Sequence, residues 1–392
     1  MRVLHIITAC PYDDEEGDVL TPWLWRVLEE LGNRGVKVDL LCPTYKGKRG
    51  EYFRGFYVHR YRYCISKWEI LGYKTAIPEI LKTNKLAYAL IPFYILSGLL
   101  KSFILSGTEN YDVVHVHWPF PLAVPSLPFK MRGIPVVHSY YTAEIKLIEN
   151  LGPLGKFLRL LSNTADVKTA ISTYVKDLLG YEDVIIIPYA AALDIREFHP
   201  PKEKPEKPVI LFVGRLVERK GVRYLIEATK ILRGKGVNAS LHIVGDGPLR
   251  KELEELSKGL GLEDVVLFKG KIGSQELINE YENSNIFVLP SIIDSRGDTE
   301  GLGVVLIEAL TFGLPVIASR VGGIPDIIID KETGLLVNEK DPVSLASAIE
   351  YLLLNWEEAK KMVIMGQRRI KDKFSPEIIA DKILEIYRGL KS

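Results

Sequence analysis

Short runs of aliphatic and β-branched residues alternate with helix-period patterns along most of this chain. The first run, VLHII, is followed by a loop through Gly17 and a helix from Pro22 to about Gly32, in which Thr21 can cap and Pro22 suits the first helical position. The runs VKVDLLC, DVVHVH, IPVVHS, VKTAIS and VIIIPY follow. Apolar runs of this length, separated by helical patterns, predict a parallel sheet covered on both faces. The segment PPKEKPEKP, Pro200 to Pro208, has no apolar period and reads as a linker. Beyond it the alternation restarts with VILFVG, SLHIVG, VVLFKG, IFVLP and PVIAS. The expected fold class is α/β, with two doubly wound Rossmann-like domains facing across a cleft and ligands beyond the carboxyl ends of the strands. The expected boundaries are 1–195 for the first domain, 196–208 for the linker, 209–374 for the second domain, and 375–392 for a C-terminal helix free to cross back to the first.

Composition narrows this picture. A chain of 392 residues suits two or three domains of roughly 100–200 residues each, and 47% hydrophobic content supplies real cores. The 51 Lys and Arg nearly cancel the 50 Asp and Glu, so nucleic acid is not an expected partner and any basic site must be local. Cys10, Cys42 and Cys64 are odd in number and lack disulfide or zinc spacing, which points to a reducing compartment. The start, MRVLHIITAC, enters a strand-like run without a cleavage-site pattern, so the cytoplasm is the expected location. Fifteen uncharged residues from Leu86 to Leu100 fall short of the roughly 20 that a membrane span needs. They read either as a core helix or as an interfacial helix peripheral to the inner face of the membrane.

The chemistry concentrates between Ser291 and Val337. Glu300 precedes a glycine-rich turn, and Glu308 lies within the apolar run GVVLIEAL. A helix starting near Gly303 would aim free N–H groups and its positive dipole end at a phosphate. A carboxylate among aliphatics needs a cation or a hydroxyl-rich ligand, so the pattern suggests a phosphorylated, polyhydroxylated ligand. In GRLVERKG the preceding strand ends at Gly214, which sets Arg215 and Lys220 at its carboxyl end, where they either grip a diphosphate or stand as solvated cations. GDGPL, with Gly245, reads as cleft lining or as a tight turn. Neither GxxxxGK[ST] nor a strand followed by GxGxxG occurs, which argues against a P-loop nucleotidase and a dinucleotide dehydrogenase. Asp294 and Asp298 read as turn aspartates, and His115 with His117 lacks a third ligand nearby, so no metal is expected.

Four motifs in order, GRLVERKG, IVGDGPL, the glutamate pair and GLPVIASRVGGIPDII, closely resemble the retaining GT-B glycosyltransferases of family 4 over residues 205 to 340. The first half resembles that family more loosely, through Gly17-Asp18, HVHWP at His115 to Pro119, and PVVHSYYT at Pro135 to Thr142. The resemblance implies transfer of a hexose-type sugar from a UDP-, GDP- or ADP-sugar to a hydroxyl of a glycan, lipid or small molecule. It implies metal-independent chemistry with no cofactor beyond the nucleotide-sugar co-substrate. It further implies that Glu300 meets the donor sugar, Glu308 the ribose, and the stretch Gly301, Leu302, Gly303, Val304 and Val305 the sugar and phosphates. Gly17 and the backbone of Gly270, Lys271 and Ile272 would complete the donor site, and His117, Trp118 and His138 are acceptor-side candidates. Two departures stand out. Tyr141 occupies the position of the family histidine that reaches the transferred sugar, and IPYAAALD from Ile187 to Asp194 replaces IPxGVD. Strand alternation places His138 on the opposite face from Tyr141, as a structural histidine. Because a phenol is a poorer proton shuttle than an imidazole, a non-catalytic nucleotide-sugar sensor stays open beside the transferase, and a GT-B epimerase acting on a nucleotide sugar is a third reading that shares the fold and the glutamates. The sequence names neither donor, acceptor nor oligomeric state.

Overall fold

The fold comes from a computed structural model, which describes residues 1–10, 22–47, 51–72, 77, 80, 81, 84–142, 145, 152–191 and 197–391. Gly17, Thr21 and Asp194 lie outside the described residues. The chain forms two compact units: Met1–Pro188 with Pro376–Ser392, and Tyr189–Ser375.

The described residues of unit 1 build an eight-stranded sheet from β1 (Arg2–Ile6), β2 (Lys37–Pro43), β3 (Tyr52–Phe53), β4 (Phe56–Tyr61), β5 (Val113–His117), β6 (Val136–Tyr140), β7 (Val167–Ala170) and β8 (Val184–Ile186). The order is β3-β4-β2-β1-β5-β6-β7-β8, and β3 alone is antiparallel to its neighbour. Strand order reverses between β1 and β5, which register with His5 opposite His115. The hairpin β3–β4 was not foreseen. Its turn uses Arg54 and Gly55 at φ 49° and 83°, the left-handed pair that a tight hairpin requires. Around the sheet pack α1 (Pro22–Asn33), α2 (Leu86–Thr108), α3 (Pro119–Lys130), α4 (Gly152–Ser162) and α5 (Thr173–Leu179). Helix α5 is delimited by Ser172, which accepts from the Val175 N–H, and by Gly180 in the left-handed conformation.

Helix α2 runs 23 residues, eight beyond the uncharged segment, and is long and apolar enough to cross a membrane by length and composition. Its inner face, Ala87, Leu90, Tyr94, Gly98, Ser102 and Leu105, is buried. A Cβ on Gly98 would stand 3.1 Å from Pro125 and 3.2 Å from Tyr61, so glycine lets α2 lie close on α3 and β4.

Among its described residues, unit 2 forms a six-stranded, all-parallel sheet of order β11-β10-β9-β12-β13-β14. Its strands are β9 (Val209–Val213), β10 (Ser240–Val244), β11 (Val266–Gly270), β12 (Ile286–Leu289), β13 (Val316–Ser319) and β14 (Leu335–Val337). The central strands β9 and β12 are buried on both faces, which is why they read as unbroken apolar runs. The helices are α6 (Val222–Gly234), α7 (Arg250–Gly259), α8 (Ser274–Asn283), α9 (Val304–Thr311), α10 (Ile324–Ile327), α11 (Pro342–Leu354) and α12 (Trp356–Lys373). The described part of the 196–208 stretch is tied into unit 2. The His199 N–H donates to the Thr311 carbonyl at 2.8 Å, Trp356 Nε1 to the Lys202 carbonyl at 2.9 Å, and Gln367 Nε2 to the His199 carbonyl at 2.7 Å. The last helix, α13 (Pro376–Gly389), belongs to unit 1, where it packs beside α1 and is joined to the residue that follows α1 through Arg34 Nε and Asp381 Oδ1 at 2.5 Å.

Candidate functional site

In unit 2 the order of strands reverses between β9 and β12, and because all six strands are parallel, the loops that follow them share one edge of the sheet. Arg215 and Lys220 follow β9, Gly245 follows β10, Lys271 and Ile272 follow Gly270 at the end of β11, and Glu300 to Gly303 follow β12. Arg215 is exposed in its loop, whereas Lys220 is buried at the end of a single 3-10 turn. Gly221 must be glycine, since φ is +63° and a Cβ would collide with the Pro290 carbonyl oxygen in the loop after β12. Gly245 is held by the neighbouring loop as well: a Cβ there would collide with the Gly214 carbonyl oxygen.

The loops after β9 and β12 meet through charge. Lys220 Nζ donates to Glu300 Oε2, Arg219 Nη1 lies 3.5 Å from the same oxygen, and Ser291 Oγ also lies 3.5 Å away. Burial pushes the Glu300 carboxyl up, but Lys220 and then Arg219 hold it below its usual value. Burial pushes the Lys220 ammonium down, partly offset by Glu300. The pair is thus a compensated buried ion pair. Arg219 also lies 3.6 Å from Asp298, and Asp294 Oδ1 accepts from the N–H groups of Arg296 and Asp298, both at 2.9 Å. The two aspartates therefore have structural partners of their own.

Helix α9 starts at Gly303, whose φ of 94° excludes a side chain, and no side chain caps it. Its first residues, Val304 and Val305, are half-buried, and the uncapped N–H groups of this first turn suit an anion. Glu308 lies on the buried face of α9, where the Tyr281 hydroxyl donates to Oε2 at 2.8 Å. That phenol, raised well above its usual value by burial and by Glu308, stays protonated as a donor. Arg219 and Tyr281 were missed in the sequence. Arg219 adjoins Lys220 in the same motif, whereas nothing in the local pattern marked Tyr281.

In unit 1, Trp118 and Tyr141 follow β5 and β6. Trp118 adopts φ 56° and ψ 68°, a costly conformation for a bulky residue, and its ring stacks on Tyr141 with centroids 4.6 Å apart. Trp23 lies 5.6 Å from Tyr141 by the same measure. His117, expected on the acceptor side, is buried, and its Nδ1 lies 2.6 Å from the Tyr141 hydroxyl. His138 lies on the other face of the sheet, fully buried, and donates from Nδ1 to the Ser162 carbonyl at 2.8 Å. Burial lowers its value to about 4. It is removed from the Tyr141 face. The sequence offered His115 and His117 no third imidazole; β1 supplies one, His5, with ligand atoms of all three within 4.8 Å of one another.

Two family models match this chain: glycosyl transferases group 1 over residues 194–369, and Glycosyltransferase Family 4 over residues 23–183. A GDP-mannose-dependent alpha-(1-6)-phosphatidylinositol monomannoside mannosyltransferase of Mycolicibacterium smegmatis is 29% identical over 246 residues, 59% of this chain and 64% of the relative. A sulfoquinovosyl transferase of Arabidopsis thaliana is 29% identical over 315 residues, 74% of this chain and 59% of the relative. The matches thus span less than two thirds of these relatives. Among solved structures, sucrose-phosphate synthase from Thermosynechococcus elongatus superposes with a TM-score of 0.74 at 21% identity, over 99% of this chain and 98% of the other. Anabaena HepE in complex with UDP and glucose gives 0.69 at 16% identity, over 99% and 100%. These two show the shared fold, GT-B.

Proposed function

Because this chain belongs to the GT-B glycosyltransferases of family 4, we propose that it moves a hexose-type sugar, with retention, from a UDP-, GDP- or ADP-sugar to a hydroxyl of a glycan, a lipid or a small molecule. The observation that carries this reading is the shared edge of the unit 2 sheet, where Arg215, the Lys220–Glu300 pair and the start of α9 are brought together from loops far apart in sequence. Arg215, Lys220 and the α9 N-terminus meet the diphosphate. Glu308 accepts from the ribose hydroxyls, Glu300 from the donor sugar, and the backbone of Gly270 to Ile272 meets the base. In unit 1, taken by itself, the Trp118–Tyr141 stack offers a face for a sugar, and the resemblance gives Tyr141 the transferred one. In the reaction the bond from the anomeric carbon to the bridging phosphate oxygen breaks as the bond to the acceptor oxygen forms on the same face. The acceptor proton passes to the departing phosphate oxygen, so no covalent enzyme intermediate is needed.

A lipid-linked acceptor is the first to test, since the mycobacterial relative is named for one. Helix α2 supports it. Leu86, Phe93, Leu96, Leu100, Phe103 and Ile104 stand 43–60% exposed along one side, beside Lys85, Lys101 and the Arg132 guanidinium 5.6 Å over Phe103. We assign this face to the surface of an anionic bilayer. The test of the transferase reading is nucleoside diphosphate release from a panel of sugar donors, with and without acceptors and with excess chelator. Acceptor-dependent release that survives chelation is expected. Binding without release would leave a sensor, and interconversion of donors without release an epimerase.

A further inference from the structure

Beneath Tyr141, the buried face of the unit 1 sheet joins residues from four strands and the last helix. The hydroxyls of Thr169 and Ser139 meet at 2.6 Å, and Ser139 Oγ meets His115 Nε2 at 2.6 Å. His115 Nδ1 lies 2.6 Å from the Tyr387 hydroxyl, which lies 3.3 Å from His5 Nε2. His5 Nδ1 lies 3.0 Å from His117 Nε2, and His117 Nδ1 reaches Tyr141. All seven side chains are buried. Every ring nitrogen of the three imidazoles is therefore engaged.

Burial keeps the three rings neutral near pH 7: His5 is pushed down to about 3, and His115 and His117 well below their usual value. A neutral imidazole carries one N–H and one lone pair, so the role of one nitrogen dictates the other. Two uniform arrangements satisfy every link. In one, all three histidines carry the proton on Nδ1, and His117 donates to Tyr141, whose own proton is then directed elsewhere. In the other, all three carry it on Nε2, and Tyr141 donates to His117. A mixed set leaves a buried proton or lone pair unmatched, at a cost of about 1–3 kcal/mol.

We propose that Thr169, Ser139, His115, Tyr387, His5 and His117 are positioning residues that fix, through one continuous hydrogen-bond chain, whether Tyr141 donates to or accepts from the transferred sugar. The proposal rests on the reading of Tyr141 as a sugar contact. It competes with one alternative: a divalent metal held by the three histidines would occupy the lone pairs the chain uses.

The experiment uses the full-length protein. Nitrogen-15 spectra at pH 7 should show His5, His115 and His117 neutral and in the same tautomer. Tyr387→Phe, which removes the central hydroxyl but not the ring, should shift the tautomer ratio of His117, which Tyr387 does not hydrogen-bond. Unlike tautomers in the wild type, or an unmoved His117, would overturn the chain, as would stoichiometric metal on these rings. In transfer assays Tyr387→Phe should lower kcat about two- to tenfold with donor KM unchanged. In a Tyr141→Phe background the same substitution should have no further effect; additive losses would mark a merely structural role and sink the proposal. If Tyr387→Phe does not fold, Ser139→Ala takes its place in every comparison. If the wild type turns over no donor, the transferase reading fails, while the spectra still decide the chain.

Discussion

Glu300 and Glu308 stand eight residues apart in sequence but answer to different partners, which separates their variants. Glu308→Gln keeps an oxygen for Tyr281 while losing charge-assisted acceptance from the ribose, so calorimetry should show affinity for donor and free nucleotide falling together. Glu300→Gln removes the charge that compensates buried Lys220, and breaking such a pair costs on the order of 3–5 kcal/mol of stability. The melting temperature should drop, and Lys220→Met in the same chain should recover part of the loss. The carboxyl of Glu300 lies below its unfolded value in the folded state, so this contribution is present above about pH 4.3 and is lost as acid titrates it. Arg215 is exposed in the loop after β9, and Arg215→Ala should weaken nucleoside diphosphate binding by about 1.5–3 kcal/mol. Equal diphosphate affinity in wild type and variant would remove Arg215 from the phosphate site. The motif GRLVERKG made Arg215 and Lys220 legible, but the engagement of Lys220 by Glu300 depends on a partner 80 residues away.

At the scale of elements, the apolar row of α2 makes the most exposed claim. Phe103→Asp with Leu96→Asp places charge on solvent-facing positions, so the helix should keep its fold, yet sedimentation with anionic vesicles should fall severalfold. Unchanged sedimentation would show that α2 is not the lipid contact. The sequence marked the apolar segment and ended it at Lys101, but the helix continues to Thr108, because one half-buried lysine can run its stem along the apolar surface. The strands of the two sheets followed from their aliphatic runs, whereas β3, β4 and β14 did not. Two- and three-residue strands such as β3 and β14 are too short to show a period, and β4 interleaves aromatics with His59 and Arg60.

At the scale of the molecule, the chain leaves unit 2 at Pro376 and completes unit 1 with α13, which buries Ile379, Ala380, Ile383, Leu384 and Tyr387. Burial of each large apolar side chain is worth roughly 1.5–3 kcal/mol, so losing four or five of them rivals a whole domain's stability of about 5–15 kcal/mol. A chain ending at Ser375 should therefore lose the unit 1 transition while unit 2 keeps nucleotide binding. Four of the five tryptophans, Trp23, Trp25, Trp68 and Trp118, lie in unit 1 and Trp356 in unit 2, so fluorescence reads the two units apart. Native-like emission from the shortened chain would contradict this.

What the sequence determined by itself is the alternation of strands and helices and the residues at strand ends. In a parallel sheet those facts suffice to gather Arg215, Lys220, Gly245, Gly270 and Glu300 on one edge, since every strand delivers its following loop to the same side. Only the tertiary structure decided which of these groups touch. Lys220 meets Glu300, Tyr281 meets Glu308, and Tyr387 reaches His5 across 382 residues. The physical reason is one of range: periodicity and turn chemistry report on neighbours within a few residues, while a hydrogen bond between buried side chains depends on how whole elements pack, which no short stretch of sequence records.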